Sequence, residues 1–439
     1  MVQPVDRHLE SASRDPESDL AKRYVQVRGD TLALADGLSE LDANLQSMPD
    51  ASPVKWHLAH TSWFFETFVL EPQEPDFEPF APSFRVLFNS YYNSVGDQYP
   101  RSDRGLISRP GLDEVRRYRE AIDQRVLTLF KSELGSSDDG SSDWRATVEL
   151  GLHHEQQHQE LILTDLKHAF SKNPDLPVYR NSKAAAESTA CELRWHSFDE
   201  GLTYIGDRTS GFAFDNERPS HRVFLEAFEL ASRTVTNGEW REFMEDGGYS
   251  TPELWLSDGW AWLAEEGHSA PDYWSQRDGE WYQFTLGGLR TLRDDEPVAH
   301  VSYYEADAFA TWAGARLPRE AEWEIASRAI HISSGNFLEA GYLHPVALAP
   351  SGGSTDAPTP EGMFGNVWEW TASPYVAYPG YRPAAGALGE YNGKFMADQW
   401  VLRGGSCATP VGHVRSTYRN FFQAATRWQF AGLRLARDC

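Results

Sequence analysis

Residues 141–170 read SSDWRATVELGLHHEQQHQELILTDLKHAF. Behind a Ser/Asp cap, the apolar residues recur at intervals of three and four, the spacing of one helix face. His154 and His158 are four apart, so on this helix they stand one turn apart on the same face and can bind one metal together. Gly151 lies a turn earlier and Leu161 and Ile162 follow, which turns that face into a bundle. Working outward, residues 19–38 and 111–134 have the same helical spacing. So do residues 52–70 (SPVKWHLAHTSWFFETFVL), with Ser52 as the N-cap and Pro53 at the first helical position. Four such helices predict an antiparallel bundle over residues 1–175. Between the second and third lies a stretch from about 71 to 111, rich in Pro, Phe, Asn and Tyr. A loop that long inside a bundle points to function.

Past a Pro-, Ser- and Ala-containing linker at residues 176–194, the texture changes. Residues 195–439 carry short aromatic strands and Gly/Asn/Pro turns: GLTYIGDR, HRVFLEAFELASRTVTN, VLRGGSCA and FAGLRLARD. The helical pieces are EWREFMEDGG, SYYEADAFATWAGA and REAEWEIASR. The chain is therefore α+β, a helical half followed by a half dominated by strands and loops. No internal repeat or low-complexity tract is evident.

Composition narrows the function. With 439 residues and 13% aromatics, the chain can fill two or three cores and is not disordered. A net charge of -25 argues against nucleic-acid and anionic-membrane partners, both of which need a basic surface. No apolar run approaches the ~18 residues of a membrane span. The polar, acidic start predicts no signal peptide and a cytoplasmic chain. Cys191, Cys407 and Cys439 are too few and too scattered for a disulfide framework or a thiolate zinc site.

If His154 and His158 bind metal, a third ligand must come from another helix, and His57 and His60 are the candidates. His60 shares the stripe of Trp56, Trp63 and Phe64 and is preferred. HEQQH also satisfies the H-E-x-x-H pattern of zinc proteases, with Glu155 as general base. The further histidine of metzincins is absent, and a helical bundle lacks a strand-lined substrate cleft. By softness alone, three imidazoles suit zinc, iron, copper or nickel about equally.

Residues 315–328 (ARLPREAEWEIASR), 362–375 (GMFGNVWEWTASPY), 401–410 (VLRGGSCATP) and 430–437 (FAGLRLAR) stand in that order. Together they resemble the formylglycine-generating-enzyme sulfatase domain, a variant of the C-type-lectin-like fold, over residues 195–439. The first half, with WHLAH and HEQQH, resembles the DinB-like four-helix metal-binding bundle. Joined in this order, the two resemble the ergothioneine-biosynthesis sulfoxide synthases and the related ovothiol enzymes. Formylglycine generation uses two cysteines after G-G-S, whereas here the ATPVGHVRSTYRN stretch after Cys407 holds no second cysteine, and Cys407 is expected in a buried strand. Copper–dithiolate chemistry is therefore not expected.

The resemblance implies Fe(II) held by His60, His154 and His158, with O2 as cosubstrate. The enzyme would join a thiol sulfur to C2 of the imidazole of hercynine (N-alpha-trimethylhistidine), giving a sulfoxide. It carries over Asn420, Phe421 and Phe422 as the hercynine pocket, with Gln157 beside the ligand His158 and Tyr391 as a further candidate. Aromatic faces suit a quaternary ammonium, which cannot donate a hydrogen bond. Asn89-Ser90-Tyr91-Tyr92-Asn93-Ser94 resembles the branch that uses free cysteine, other members taking gamma-glutamylcysteine, histidine or a selenosugar. Arg101, Arg104 and Arg109 could pair a substrate carboxylate. Tyr91 and Tyr92 are the candidate proton donors, because a phenol delivers a proton without carrying charge into a dry site. If the pair is extended, only one faces the metal. A structural Ca2+ in the lectin-like half is left open.

Overall fold

The computed structural model describes residues 16–132, 144–181, 183, 191–348 and 359–439. The four expected helices are Pro16–Leu34, Val54–Phe65, Leu112–Ser132 and Trp144–Ser171. The second helix packs against the third and fourth, and the first lies on the fourth. Gly151 is what lets the second and fourth approach. A Cβ there would stand 2.6 Å from Phe65 Cε1 and 2.9 Å from Phe64 Cε1. Every residue of Val54–Phe65 is buried, lysine and both histidines included, so its polar groups must find partners inside. Ser52 is not the cap. Pro53, with ψ 145°, flanks the helix and Val54 opens it, while Ser52 Oγ accepts from Arg104 at 2.8 Å. The Ser/Asp cap expected for the fourth helix lies outside the described residues.

The long stretch after the second helix is not structureless. It carries helical turns at Phe84–Leu87 and Arg101–Leu106, and the carboxylate of Glu390, from the other half, accepts the Asn93 and Ser94 N–H groups at 3.0 and 2.8 Å. At the linker, the Tyr179 N–H donates to Leu286 O at 3.0 Å, tying the chain to the second half.

Besides the antiparallel pair Gly201–Ile205 with His221–Leu225 and a three-stranded meander, the second half has two sheets among the described residues. Trp195–Phe198, Phe228–Thr234 and Arg434–Asp438 form an antiparallel sheet with the central strand between the other two. Asn420–Phe422, Trp400–Arg403, Trp368–Pro374 and Ala431–Gly432 form the other in that spatial order. The anticipated helices are present as Asn237–Glu245, Tyr303–Trp312 and Glu320–Ser327. The helix Ser257–Glu266 and the meander Trp274–Arg277, Glu280–Thr285, Gly288–Thr291 were not anticipated. The meander's signal was nonetheless present: Asp278 and Gly279, with φ 50° and 86°, are the Asp-Gly pair of a tight hairpin. Cys407 is fully buried but sits on a turn past the strand Trp400–Arg403, not in it.

Candidate metal centre

The second and fourth helices cross where His60 faces His154 and His158. His60 Nε2 and His158 Nε2 lie 3.1 and 3.0 Å from His154 Nε2. Among the described residues, this trio is the grouping of three ligand atoms from His, Cys, Asp or Glu within 4.8 Å of one another. Burial, reinforced by the neighbouring imidazoles, holds His60 and His158 well below the usual histidine range. Burial also pushes His154 down to about 3. All three are therefore neutral, the form that binds metal.

Outer partners set the tautomers of His60 and His158. His60 Nδ1 donates to Phe88 O at 2.6 Å, which leaves its Nε2 as a lone pair. His57 Nε2 faces Asp165 Oδ2 at 3.1 Å, and His57 Nδ1 faces His158 Nδ1 at 2.8 Å. With the His57 proton on the Asp165 side, His57 Nδ1 accepts from His158, and the His158 Nε2 lone pair also points inward. Both lone pairs point at His154 Nε2, whose ring has no partner on Nδ1 among the described residues, so in the tautomer with its proton on Nδ1 three lone pairs converge as a metal requires. Two nitrogens at right angles on a metal ~2.1 Å away would be roughly 3.0 Å apart, matching the observed spacing. The residues fit a metal. His57 serves His158 from outside rather than joining the trio.

Glu155, the general base of the alternative hydrolase, is turned away from this work. It is fully buried with Oε2 on Arg28 at 2.9 Å and Oε1 on Arg119 at 2.8 Å, and those guanidiniums hold it below the usual carboxylate range against the opposing effect of burial. Neither oxygen is free to take a proton from water.

A cavity of about 360 Å3 opens beside the trio and takes residues from both halves. His154, His158, Gln157, Tyr91, Arg101 and Arg104 line it from the bundle, and Asn420, Phe422, Trp368, His413 and Tyr418 from the lectin-like half. Phe421 is not among them. Alternation along the strand sends its ring to the opposite face, stacked 3.9 Å from Tyr375. Gln157 donates to Tyr418 Oη at 2.7 Å and accepts from the Tyr391 hydroxyl. The Tyr391 ring stands edge-on to His154 at 5.6 Å.

The two loop tyrosines do not point opposite ways. The Asn89 side chain accepts the Tyr92 N–H and donates to Tyr92 O, folding the segment into a turn. The rings therefore stack at 4.7 Å. Tyr91 lines the cavity. Tyr92 is fully buried against Trp63 and Phe68. Burial raises the pKa of both phenols, so both stay protonated.

Arg104 is 4% exposed, lies 3.5 Å over the Trp56 ring and leaves Nε unpartnered. Burial, reinforced by Arg101, pushes it down to about 9. Among the described residues no carboxylate pairs with it. Arg101 donates to Asp50 O, whereas Arg109 is exposed outside the cavity and bonds Ser108 O. In the lectin-like half, Glu369 of the GNVWEW segment is committed to Arg434 at 2.9 Å.

Sequence analysis does not single out Asp165, Glu160 or His413, whereas Tyr418 opens the 418–422 stretch that supplies Asn420, Phe421 and Phe422. Asp165 lies seven residues past His158, two turns along the same stripe, and that spacing could have revealed it. Glu160 accepts from Trp368 Nε1, Ser406 Oγ and Thr409 Oγ1 at 2.8, 2.6 and 2.6 Å. Those partners are more than two hundred residues away, and nothing local announces them.

Comparison with known proteins agrees with this architecture. Residues 23–162 match the DinB superfamily, and residues 197–351 and 359–439 match the sulfatase-modifying factor enzyme 1-like domain. The chain is 32% identical to a hercynine oxygenase of Mycolicibacterium thermoresistibile, over 96% of this chain and 95% of that protein. It is 33% identical to a hercynine oxygenase of Mycobacterium tuberculosis, over 95% and 98%. Similarity to ergothioneine biosynthesis protein 1 of Schizosaccharomyces pombe is 27%, over 75% of this chain and 44% of that protein. With both halves matched in order and relatives aligned almost end to end, the chain belongs to the ergothioneine-biosynthesis sulfoxide synthase family of oxygenases.

Proposed function

We propose that the protein is an Fe(II)- and O2-dependent synthase that joins the sulfur of cysteine to C2 of the imidazole of hercynine. The overall change balances as thiol plus imidazole C2–H plus O2 giving sulfoxide plus water. The observation that carries the proposal is the trio of neutral histidines at a cavity walled by both halves. His60, His154 and His158 would hold the metal, and the iron, when bound, supplies open positions for substrates and electrons for O2.

The chain's own residues do the rest. Arg104, buried beside Trp56 and with no carboxylate partner among the described residues, offers a planar fork to the carboxylate of the thiol. On the opposite wall Phe422 and Trp368 present aromatic faces to the trimethylammonium, and Asn420 presents an amide. Gln157, held between Tyr418 and Tyr391, orients the imidazole. Tyr91, in the cavity wall and protonated, delivers the proton that reduced oxygen needs.

The test is anaerobic loading with Fe(II), then hercynine, cysteine and O2, with mass spectrometry for the coupled sulfoxide. Coupling in iron-loaded protein and none in the zinc-loaded protein is the expected result. Absence of any C–S product with iron, or equal hydrolytic activity with zinc, would sink the proposal.

A further inference from the structure

We propose that Asp165 receives the α-ammonium group of the thiol substrate, so that the site selects thiols bearing a free α-ammonium carboxylate. The inference rests on the thiol–imidazole coupling proposed above and names which thiols that cavity takes.

Asp165 is 4% exposed and lines the cavity. Both of its hydrogen bonds fall on one oxygen. Oδ2 accepts the Ser52 N–H at 2.8 Å and faces His57 Nε2 at 3.1 Å. Among the described residues nothing donates to Oδ1. Asp165 Oδ1 therefore meets the cavity without a protein donor, and a cationic donor arriving there forms a charge-assisted hydrogen bond.

A single residue joins this anion to a cation. Ser52 gives its N–H to Asp165 and takes Arg104 Nη1 on its Oγ at 2.8 Å. Among the described residues Arg104 has no carboxylate partner, and its buried Nε has no acceptor. One serine thus holds a fork for a carboxylate beside a receptor for an ammonium. An α-amino acid carries those two groups on one carbon, which is the complementary pattern. The trimethylammonium of hercynine cannot compete for Oδ1, because it has no N–H to donate. In gamma-glutamylcysteine the nitrogen beside the thiol-bearing carbons is a neutral amide, and in 3-mercaptopropionate it is missing.

Anaerobic calorimetric titration of the metal-loaded protein with L-cysteine, N-acetylcysteine and 3-mercaptopropionate tests this without turnover. The natural chain should bind cysteine tightest. In Asp165→Asn, whose amide oxygen still accepts from Ser52 and His57, the preference for cysteine over 3-mercaptopropionate should fall roughly 10- to 100-fold. Metal content is measured in both proteins. Equal weakening toward both thiols would overturn the proposal and leave Asp165 as a support for His57 alone. Equal affinity of the natural chain for N-acetylcysteine and cysteine would overturn it with no variant needed. Cysteine binding that depends on Asp165 without any C–S product would instead overturn the coupling and leave the ammonium receptor standing.

Discussion

Replacing His57 by alanine separates holding the metal from tuning it. His57 accepts from His158 Nδ1 at 2.8 Å and leans on Asp165 at 3.1 Å. The truncation therefore orphans a buried imidazole N–H on one side and a carboxylate oxygen on the other. Each orphan costs about 1–3 kcal/mol of stability unless water fills the gap. The larger consequence falls on His158, whose tautomer and ring orientation lose their anchor. Loss of such an outer partner weakens metal affinity ~10- to 100-fold, or about 1.4–2.7 kcal/mol. His60→Ala differs in kind. It removes a lone pair from the trio, and two remaining imidazoles should hold Fe(II) too weakly to survive desalting. Anaerobic Fe(II) titration against a competing chelator measures both variants on one scale. The expected order is natural chain, then His57→Ala, then His60→Ala with no retained metal. Unchanged affinity in His57→Ala would refute the relay through Asp165. Iron lost in His57→Ala but kept in His60→Ala would refute the choice of third ligand.

Phe422→Ala should raise the KM for hercynine several-fold to ~30-fold with less effect on cysteine, since cation–π contacts contribute roughly 0.5–2 kcal/mol. Phe421→Ala, losing its stacks on Tyr375 and Phe395, should lower the melting temperature and leave the ratio of the two KM values unchanged; a selective hercynine defect there would overturn the face assignment. Tyr91→Phe should keep both KM values but divert product from sulfoxide to cysteine sulfinate, and Tyr92→Phe should divert less. Sulfoxide yield unchanged in the double variant would eliminate both phenols as donors. Burial and then nearby cations push His344 and His168 down to about 4. Their folded values lie below the unfolded ~6.5, so the unfolded chain binds more protons between these limits. Metal-free protein should be most stable above pH 6.5 and lose stability as the pH falls toward 4. Urea midpoints that stay flat from pH 7.5 to 5 would contradict that sign.

Periodicity and spacing along the chain were enough for the bundle and for His154 and His158. A helix repeats every 3.6 residues, so residues four apart meet whatever surrounds them. Preference for His60 over His57 was likewise legible, because its stripe is apolar. Strand alternation contains the information that separates Phe421 from Phe422, yet it names the inward face only once the sheet is seated on its neighbours. The stacked tyrosines depend on Asn89 closing a turn, an outcome the extended alternative in the same letters did not exclude. What only tertiary structure decided are meetings across long separations: His57 with Asp165, Glu155 with Arg28 and Arg119, Arg104 with Ser52. Such contacts leave no local periodicity, since each partner's own segment would look the same with or without the other. Burial then does what spacing cannot: it strips water from these groups, so each must be answered by a partner, a metal or a substrate.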